Sequence, residues 1–437
     1  MTPTATPLSP ASESPTKSPQ DKPRIAAFEP FPLPSQQNTH DFNLPTSAPF
    51  PLALKPTAPI ASIPEAITLI QQFASSGSFK SLSTHHAGAI LIRGLPITTP
   101  TDYSLIAHAL NLPAHTEIGR PPLRTTLAPN VKTANEGPPE LPIWPHNEYG
   151  WSTIHPAWLT FCALKVPGTE GTGGGSTPIT SSIYIAAELQ RRIPGFWEEL
   201  KRKGVQYTYR YTVEALVSNT GNSVLGAYGG AVEEGDGEEV VRRKVEREVR
   251  RHSERFEWHE DGGLSVSHVV PGAYALSPRL SIACCVGLTN TTSTAIRIHN
   301  PTNAPTFFGN ITSAWGRSRH HGATRPPFLG DDGSYHPPPQ FGDGTDMRVE
   351  DLDVLLDIAE QRAVKVQWEV GDLVILDNYA VQHSREPWVG ERQVLAALWD
   401  DDEDVDGGEG RIGDFEEGKE ILKGVPRERI VAGGQKE

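Results

Sequence analysis

Cysteine is scarce in this chain of 437 residues: Cys162, Cys284 and Cys285 are all there is. Three thiols cannot make a disulfide framework, so the sequence predicts a reducing, cytoplasmic setting. Long apolar runs are missing too. No stretch approaches the ~18 residues that would span a bilayer, and no membrane partner is expected. Basic side chains fall short of acidic ones, 39 against 53, for a net charge of −14 and a pI near 5.6. That balance argues against nucleic acid or an anionic membrane surface as a partner. The first 25 residues have no hydrophobic signal core, and Glu13 and Asp21 interrupt any acid-free transit pattern. No GxGxxG follows a strand and no GxxxxGK[ST] occurs, which removes the usual nucleotide cofactors.

Proline and glycine are plentiful, at forty each. Fourteen of the prolines fall in residues 1–60 among Ser, Thr and Gln, so residues 1–44 read as a disordered arm. From residue 401 an acidic run leads into a polar tail, 401–437, which reads as solvated. Hydrophobic residues make up 37% of the chain, enough for one sizeable core, and 45–400 is expected to form a single domain.

Within it, PEAITLIQQFAS (64–75) has apolar residues at helical spacing, with Pro64 suited to a first turn. AGAILIRGLP (87–96) predicts a short buried strand. Residues 184–204 predict two helices broken at Pro194, and VQYTYRY (205–211) alternates like a half-buried strand. Residues 233–256 predict a charged surface helix held by a stripe of Val241, Val245 and Val249. The last third changes rhythm. Short β-type runs at 363–370, 373–378 and 392–399, separated by turns, suggest a sandwich, jelly roll or barrel.

The sharpest local feature is WPHNEYGW, 144–151. In an extended strand, His146 and Glu148 would point to one face, offering two of the three ligands of a 2-His-1-carboxylate iron triad. Taken alone, H-x-E is a weak signal that an ordinary surface pair would also produce. It gains weight from residues 371–399, where His383 follows a buried strand and Arg392 comes nine residues later. A third ligand with an arginine close behind suits a metal-chelating dicarboxylate, whose far end a guanidinium grips bidentately. GTGGGSTPIT (171–180) adds glycines for close backbone approach and the Thr177 hydroxyl. Tyr149, Trp151, Arg385 and Trp388 flank these motifs and line a substrate site or pack around it. Asp377 and Asn378 read either as supports for the ligands or as turn formers. His320 and His321 lie in a Gly/Pro/Arg-rich stretch and read as exposed, and His155 is a weaker rival ligand.

HNE, then GGGSTPI, then DN…HSR…R in this order resemble the taurine dioxygenase and clavaminate synthase-like family of Fe(II)- and 2-oxoglutarate-dependent oxygenases. The resemblance runs over about 48–400 and takes in RGLP (93–96), FFGN (307–310) and FGDG (341–344). It implies an α+β fold whose core is a double-stranded β-helix, a cupin-like jelly roll with flanking helices. It further implies that His146, Glu148 and His383 ligate iron and that Thr177 and Arg392 hold 2-oxoglutarate. The expected reaction oxidises a small molecule with O2, by hydroxylation as the default, and releases succinate and CO2. Desaturation or ring formation are open to the same chemistry. Two rival readings are a non-catalytic jelly-roll interaction protein and an oxygenase acting on a protein or nucleobase. Glu148 stands where many members have Asp, as clavaminate synthase-type members also do; with a carboxylate present, a halogenase is disfavoured. Where several members that bind anions carry a second arginine, this chain has Ala396. Residues 272–294 interrupt an otherwise continuous family-like run, VVP-AIRIHNP, and span about the length of a short fungal intron. They are read here as a lineage-specific loop or a retained intron. The motifs name neither the substrate nor the oligomeric state.

Overall fold

A computed structural model describes residues 27–119, 124–134, 137–167, 173–214, 223–272, 295–401 and 412–413. Of the interrupting stretch 272–294 all but Gly272 lies outside these, as do residues 1–26 and most of the acidic tail. The strand Leu373–Asp377 is flanked by Ala89–Ile92 and Trp158–Lys165, and Gln393–Trp399 lies beyond the latter; together they form the middle of an eight-stranded sheet. Apolar residues occupy nearly every position of these strands because both faces are covered. Alternation sorts them: Leu159, Phe161, Val374, Leu376, Val394 and Leu398 face one apolar cluster. Trp158, Cys162, Leu373, Ile375, Leu395 and Trp399 face another. The second cluster is closed by the helices Ile63–Ser75 and Pro100–His108. Both start as capping chemistry dictates. Ser62 accepts the Glu65 N–H, and Thr99 forms a reciprocal capping box with Asp102 ahead of Pro100.

The first cluster is shared with a four-stranded sheet ordered Val364–Val366, Thr177–Ser181, Val381–Arg385, Ile143–His146. All its pairings are antiparallel. Register places His383 beside both Ile179 and His146. Behind it, Thr180 donates its hydroxyl to the carbonyl of Ala359 in the helix Val349–Gln361, at 2.7 Å. A third sheet includes Val205–Tyr211 and Leu264–Val270. On it the helix Glu238–Val249 buries Val245 and Val249, with Val241 half-buried beside them.

Several expectations need correction. The charged helix covers only twelve of the residues from 233 to 256, because Gly235 and Gly237 precede its start and His252 and Ser253 close its end. The two helices around Pro194 are present, Ser182–Arg192 and Pro194–Lys203, sharing Ile193 as cap. The run 363–370 is a strand only at Val364–Val366. The arm does not extend to 44. Phe28–Pro30 pairs with Leu52–Pro56, and Phe42 and Leu44 are buried. The front boundary at 45 therefore cuts through folded chain. At the far end Asp401 is buried, accepting from the Trp158 indole and pairing with Lys80, both at 2.8 Å. Ile412–Gly413, within the expected tail, pairs with the strand Ile296–His299. No helix among the described residues is long and apolar enough to cross a membrane.

Candidate metal and dicarboxylate site

His146 is the last residue of its strand, and its Nδ1–H donates to the Trp144 carbonyl at 2.9 Å. A carbonyl only accepts, so Nε2 keeps its lone pair. Burial and the neighbouring His383 push the His146 pKa down to about 3, so the ring is neutral at ordinary pH. His383 follows the buried strand Leu373–Asp377 and a short turn, as expected, and sits in the middle of the next strand, Val381–Arg385.

Glu148 reaches the same place by a different route from the one expected. The strand ends at His146, and a turn follows in which Tyr149 takes φ 56°. Side-chain alternation therefore does not align the pair. Asn378 does. It accepts the Glu148 N–H at 2.8 Å and donates to the Glu148 and Pro156 carbonyls at 2.9 and 2.8 Å. Asn378 is thus a support for a ligand candidate. Asp377 accepts the Tyr379 N–H, as a turn former does, and meets His299 Nε2 at 2.9 Å.

The carboxylate Oε2 of Glu148 ends 3.8 Å from His146 Nε2 and 3.5 Å from His383 Nε2. One ligand atom from each of the three lies within 4.8 Å of the others. These gaps are long for hydrogen bonds and suit donors that share one ion. His383 Nδ1 is buried without a partner. Burial alone would raise the Glu148 pKa, but the Arg124 guanidinium, with both imidazoles, holds it well below the usual carboxylate range. Arg124 donates to Oε1 at 2.8 Å, leaving Oε2 for the ion. Two imidazoles, that of His146 held neutral, and an ionised carboxylate form a donor set that fits Fe(II).

The second part of the site is a basic end. Arg392 is partly buried, donates through Nε to the Gly175 carbonyl at 2.9 Å and lies 5.2 Å above the Trp388 ring. Burial and the nearby Arg385 push its pKa down to about 9, as expected of a desolvated cation short of an anion. Arg385 packs on the same indole, gives one nitrogen to the Pro138 and Leu141 carbonyls, and leaves Nε and Nη1 buried without partners. Thr177 Oγ1 accepts the Trp368 indole N–H at 3.0 Å, so its own proton is left to donate. Gly175 has φ +75°, and a Cβ there would lie 3.0 Å from both Arg392 Cδ and Trp388 Cβ. The glycine run thus permits the approach that brings Thr177 and Arg392 to one cavity.

That cavity is lined by His146, Glu148, His383, Thr177 and Arg392, all five of the expected residues. Tyr149, Trp151 and Arg385 also line it, while Trp388 supports the two arginines from behind. His155 is elsewhere, its ring against Phe308 and Tyr379. Ala396 is buried in the apolar cluster, and the further cation on the cavity wall is Arg317, from the helix Ile311–His320. Motif reading missed Arg124, Trp368 and Asn147. The first two stand in no pattern, but Asn147, between the two candidate ligands, carried a signal in its position. Its side chain donates to the Asn378 and Val381 carbonyls and accepts from the Gly309 N–H and Gln382. FFGN thus contributes Gly309 to the network beneath the site.

The family model described as taurine catabolism dioxygenase TauD, TfdA family matches residues 71–399. A clavaminate synthase-like protein of Arabidopsis thaliana is 26% identical over 388 residues, 84% of this chain and 97% of that protein. The dapdiamide synthesis protein DdaC of Enterobacter agglomerans is 23% identical over 352 residues, 78% of this chain and 93% of that protein. Among solved structures, PvcB, an Fe, alpha-ketoglutarate dependent oxygenase from an isonitrile synthetic pathway, aligns with a TM-score of 0.39 and 15% identity over 80% of this chain and 86% of that one. The chain belongs to the taurine catabolism dioxygenase TauD, TfdA family and is an Fe(II)- and 2-oxoglutarate-dependent dioxygenase.

Proposed function

We propose that His146, Glu148 and His383 hold the iron, that Thr177 and Arg392 hold the distal carboxylate of 2-oxoglutarate, and that the two facing sheets form a double-stranded β-helix around them. The observation that carries this reading is one cavity with three converging metal donors at one side and, at the other, a partly buried arginine with no carboxylate partner among the described residues. When bound, iron with 2-oxoglutarate and O2 supplies an oxidising equivalent, with succinate and CO2 as co-products. The chain's own residues do the rest. His146 and His383 present imidazole nitrogens, Arg124 keeps Glu148 ionised, and Arg392 with Thr177 orients the co-substrate. The domain proposed for this chemistry reaches beyond 45–400 at both edges, to the strand Phe28–Pro30 and the buried Asp401.

The substrate is a small molecule, hydroxylated by default. Tyr149, Trp151 and Tyr209 offer the cavity aromatic walls, while Asn310, Ser313 and Arg317 give it a polar side. That mixture supports a small polar substrate with an apolar portion, in preference to an extended polymer. The complete set of donors supports an active enzyme over a non-catalytic interaction protein.

Adding Fe(II) and 2-oxoglutarate anaerobically should give a weak visible charge-transfer band. His146→Ala should abolish it, together with substrate-stimulated succinate formation. A well-folded protein without the band, or one whose band survives His146→Ala, would overturn the assignment.

A further inference from the structure

His321 follows the helix Ile311–His320, its N–H bonded to the Arg317 carbonyl. It was expected to be exposed with its neighbour. His320 is, but His321 is only 8% exposed. The reason is the hairpin that follows. Phe328 and His336 close it through an N–H to carbonyl bond of 2.9 Å, and Gly330 bonds Ser334 at 2.8 Å. Asp331 N–H then meets the His321 carbonyl at 3.2 Å, and the Ser318 hydroxyl meets the His336 carbonyl at 2.8 Å. The hairpin is thereby folded back on the end of the helix.

Four polar side chains converge there. His321, Asp332 and His336 each offer a ligand atom, all within 4.8 Å of one another. Asp332 faces His336 Nε2 with both oxygens, at 3.1 and 3.0 Å. Its Oδ1 also accepts the Ser334 N–H at 2.9 Å, which fixes the carboxylate. Asp331 meets His321 Nδ1 at 2.7 Å, the kind of carboxylate support that orients metal-binding imidazoles. The two rings stack at 4.6 Å and 20°. His336 is 2% exposed, yet its Nδ1 is buried without a hydrogen-bond partner. Between 322 and 338, Ala323 is the only apolar side chain in the buried core, so the segment has little hydrophobic anchoring of its own.

We propose that His321, Asp332 and His336 form a second divalent-metal site, distinct from the iron centre, that takes Zn(II) and clamps this hairpin to the helix. Two imidazoles and one carboxylate suit zinc, with a water completing a four-coordinate shell. The clamp has a purpose beyond the loop itself. The same helix presents Ser313 and Arg317 to the substrate cavity, so a metal at its C-terminal end would fix the wall that faces the substrate.

The test counts zinc in the full-length chain carrying His146→Ala and His383→Ala, stripped with chelator, titrated with Zn(II) and desalted. One equivalent should remain bound and raise the thermal midpoint. Asp332→Asn or His321→Asn, added singly, should each weaken binding at least about tenfold and remove the rise. Co(II) in place of zinc should give the visible absorption of a four-coordinate site. In the unmutated chain two equivalents should bind, falling to one with Asp332→Asn; this second count serves if the doubly substituted chain does not fold. No retained zinc in the folded doubly substituted chain, or retention unaffected by Asp332→Asn and His321→Asn, overturns the proposal. So does a count in the unmutated chain that Asp332→Asn leaves unchanged.

Discussion

Arg124 shows how one side chain sets the chemistry of another. Glu148 is buried, and burial favours the protonated acid. The guanidinium at 2.8 Å reverses that preference and keeps the carboxylate ionised to lower pH than usual. Arg124→Gln keeps a hydrogen-bond donor and removes the charge. The Glu148 pKa should then rise, and protons should compete with metal for Oε2. Fe(II) affinity is expected to fall about 10–100-fold, with a larger deficit at acid than at alkaline pH. Anaerobic iron titrations at several pH values measure this; a pH-independent affinity equal to that of the parent chain would refute it. The five site candidates named from motifs meet in one cavity, because each carries a residue type that the chemistry demands at a characteristic spacing. Arg124 was not legible. An arginine in PLRTT, 24 residues before its partner, looks like any other until the fold brings the two together.

Among elements, the glycine run and the charged helix show what sequence patterns encode. Three consecutive glycines signalled a close approach, and the structure supplies its target. A Cβ on Gly175 would press within 3.0 Å of Arg392 Cδ and Trp388 Cβ, at a φ that L side chains rarely adopt. Gly175→Ala should therefore displace the guanidinium and raise the KM for 2-oxoglutarate at least about tenfold, a cost of about 1.4 kcal/mol. Iron binding without 2-oxoglutarate should be unchanged. Succinate assays against 2-oxoglutarate concentration test the first expectation, and an unaltered KM would count against Thr177 and Arg392 as the carboxylate clamp. The charged helix was readable from its valine stripe, since period and burial follow one rule. The turn carrying Glu148 was misread. Local alternation predicted a strand through 148, but side chains 230 positions away hold the backbone in another shape. Tertiary hydrogen bonds of that kind leave no trace in local periodicity.

At the scale of the molecule, composition misplaced the edges of the folded chain. A window of prolines or acids averages over residues, and it cannot register that Phe42 fills a core or that Trp158 and Lys80 claim Asp401. The centre was legible as β-rich; the polar junction that joins its parts was not. Asn147 is fully buried and ties the segment 378–382 of the small sheet to Gly309, next to the helix that lines the cavity. Its partners Asn378, Val381 and Gly309 are buried too. Asn147→Ala would strand the Asn378 and Val381 carbonyls and the Gly309 N–H together, and each buried group left unsatisfied costs about 1–3 kcal/mol before the structure relaxes. A net loss of about 2–4 kcal/mol is expected, read as a lower urea midpoint, with weaker iron binding in the fraction that remains folded. Arg243→Ala, on the exposed face of the charged helix, should change stability by less than about 0.5 kcal/mol in the same assay, because its ion pair with Glu239 at 3.9 Å lies in water. Equal midpoints for the two variants would mean that the asparagine is dispensable to the junction. The metal donors would then have to be held by the strands alone.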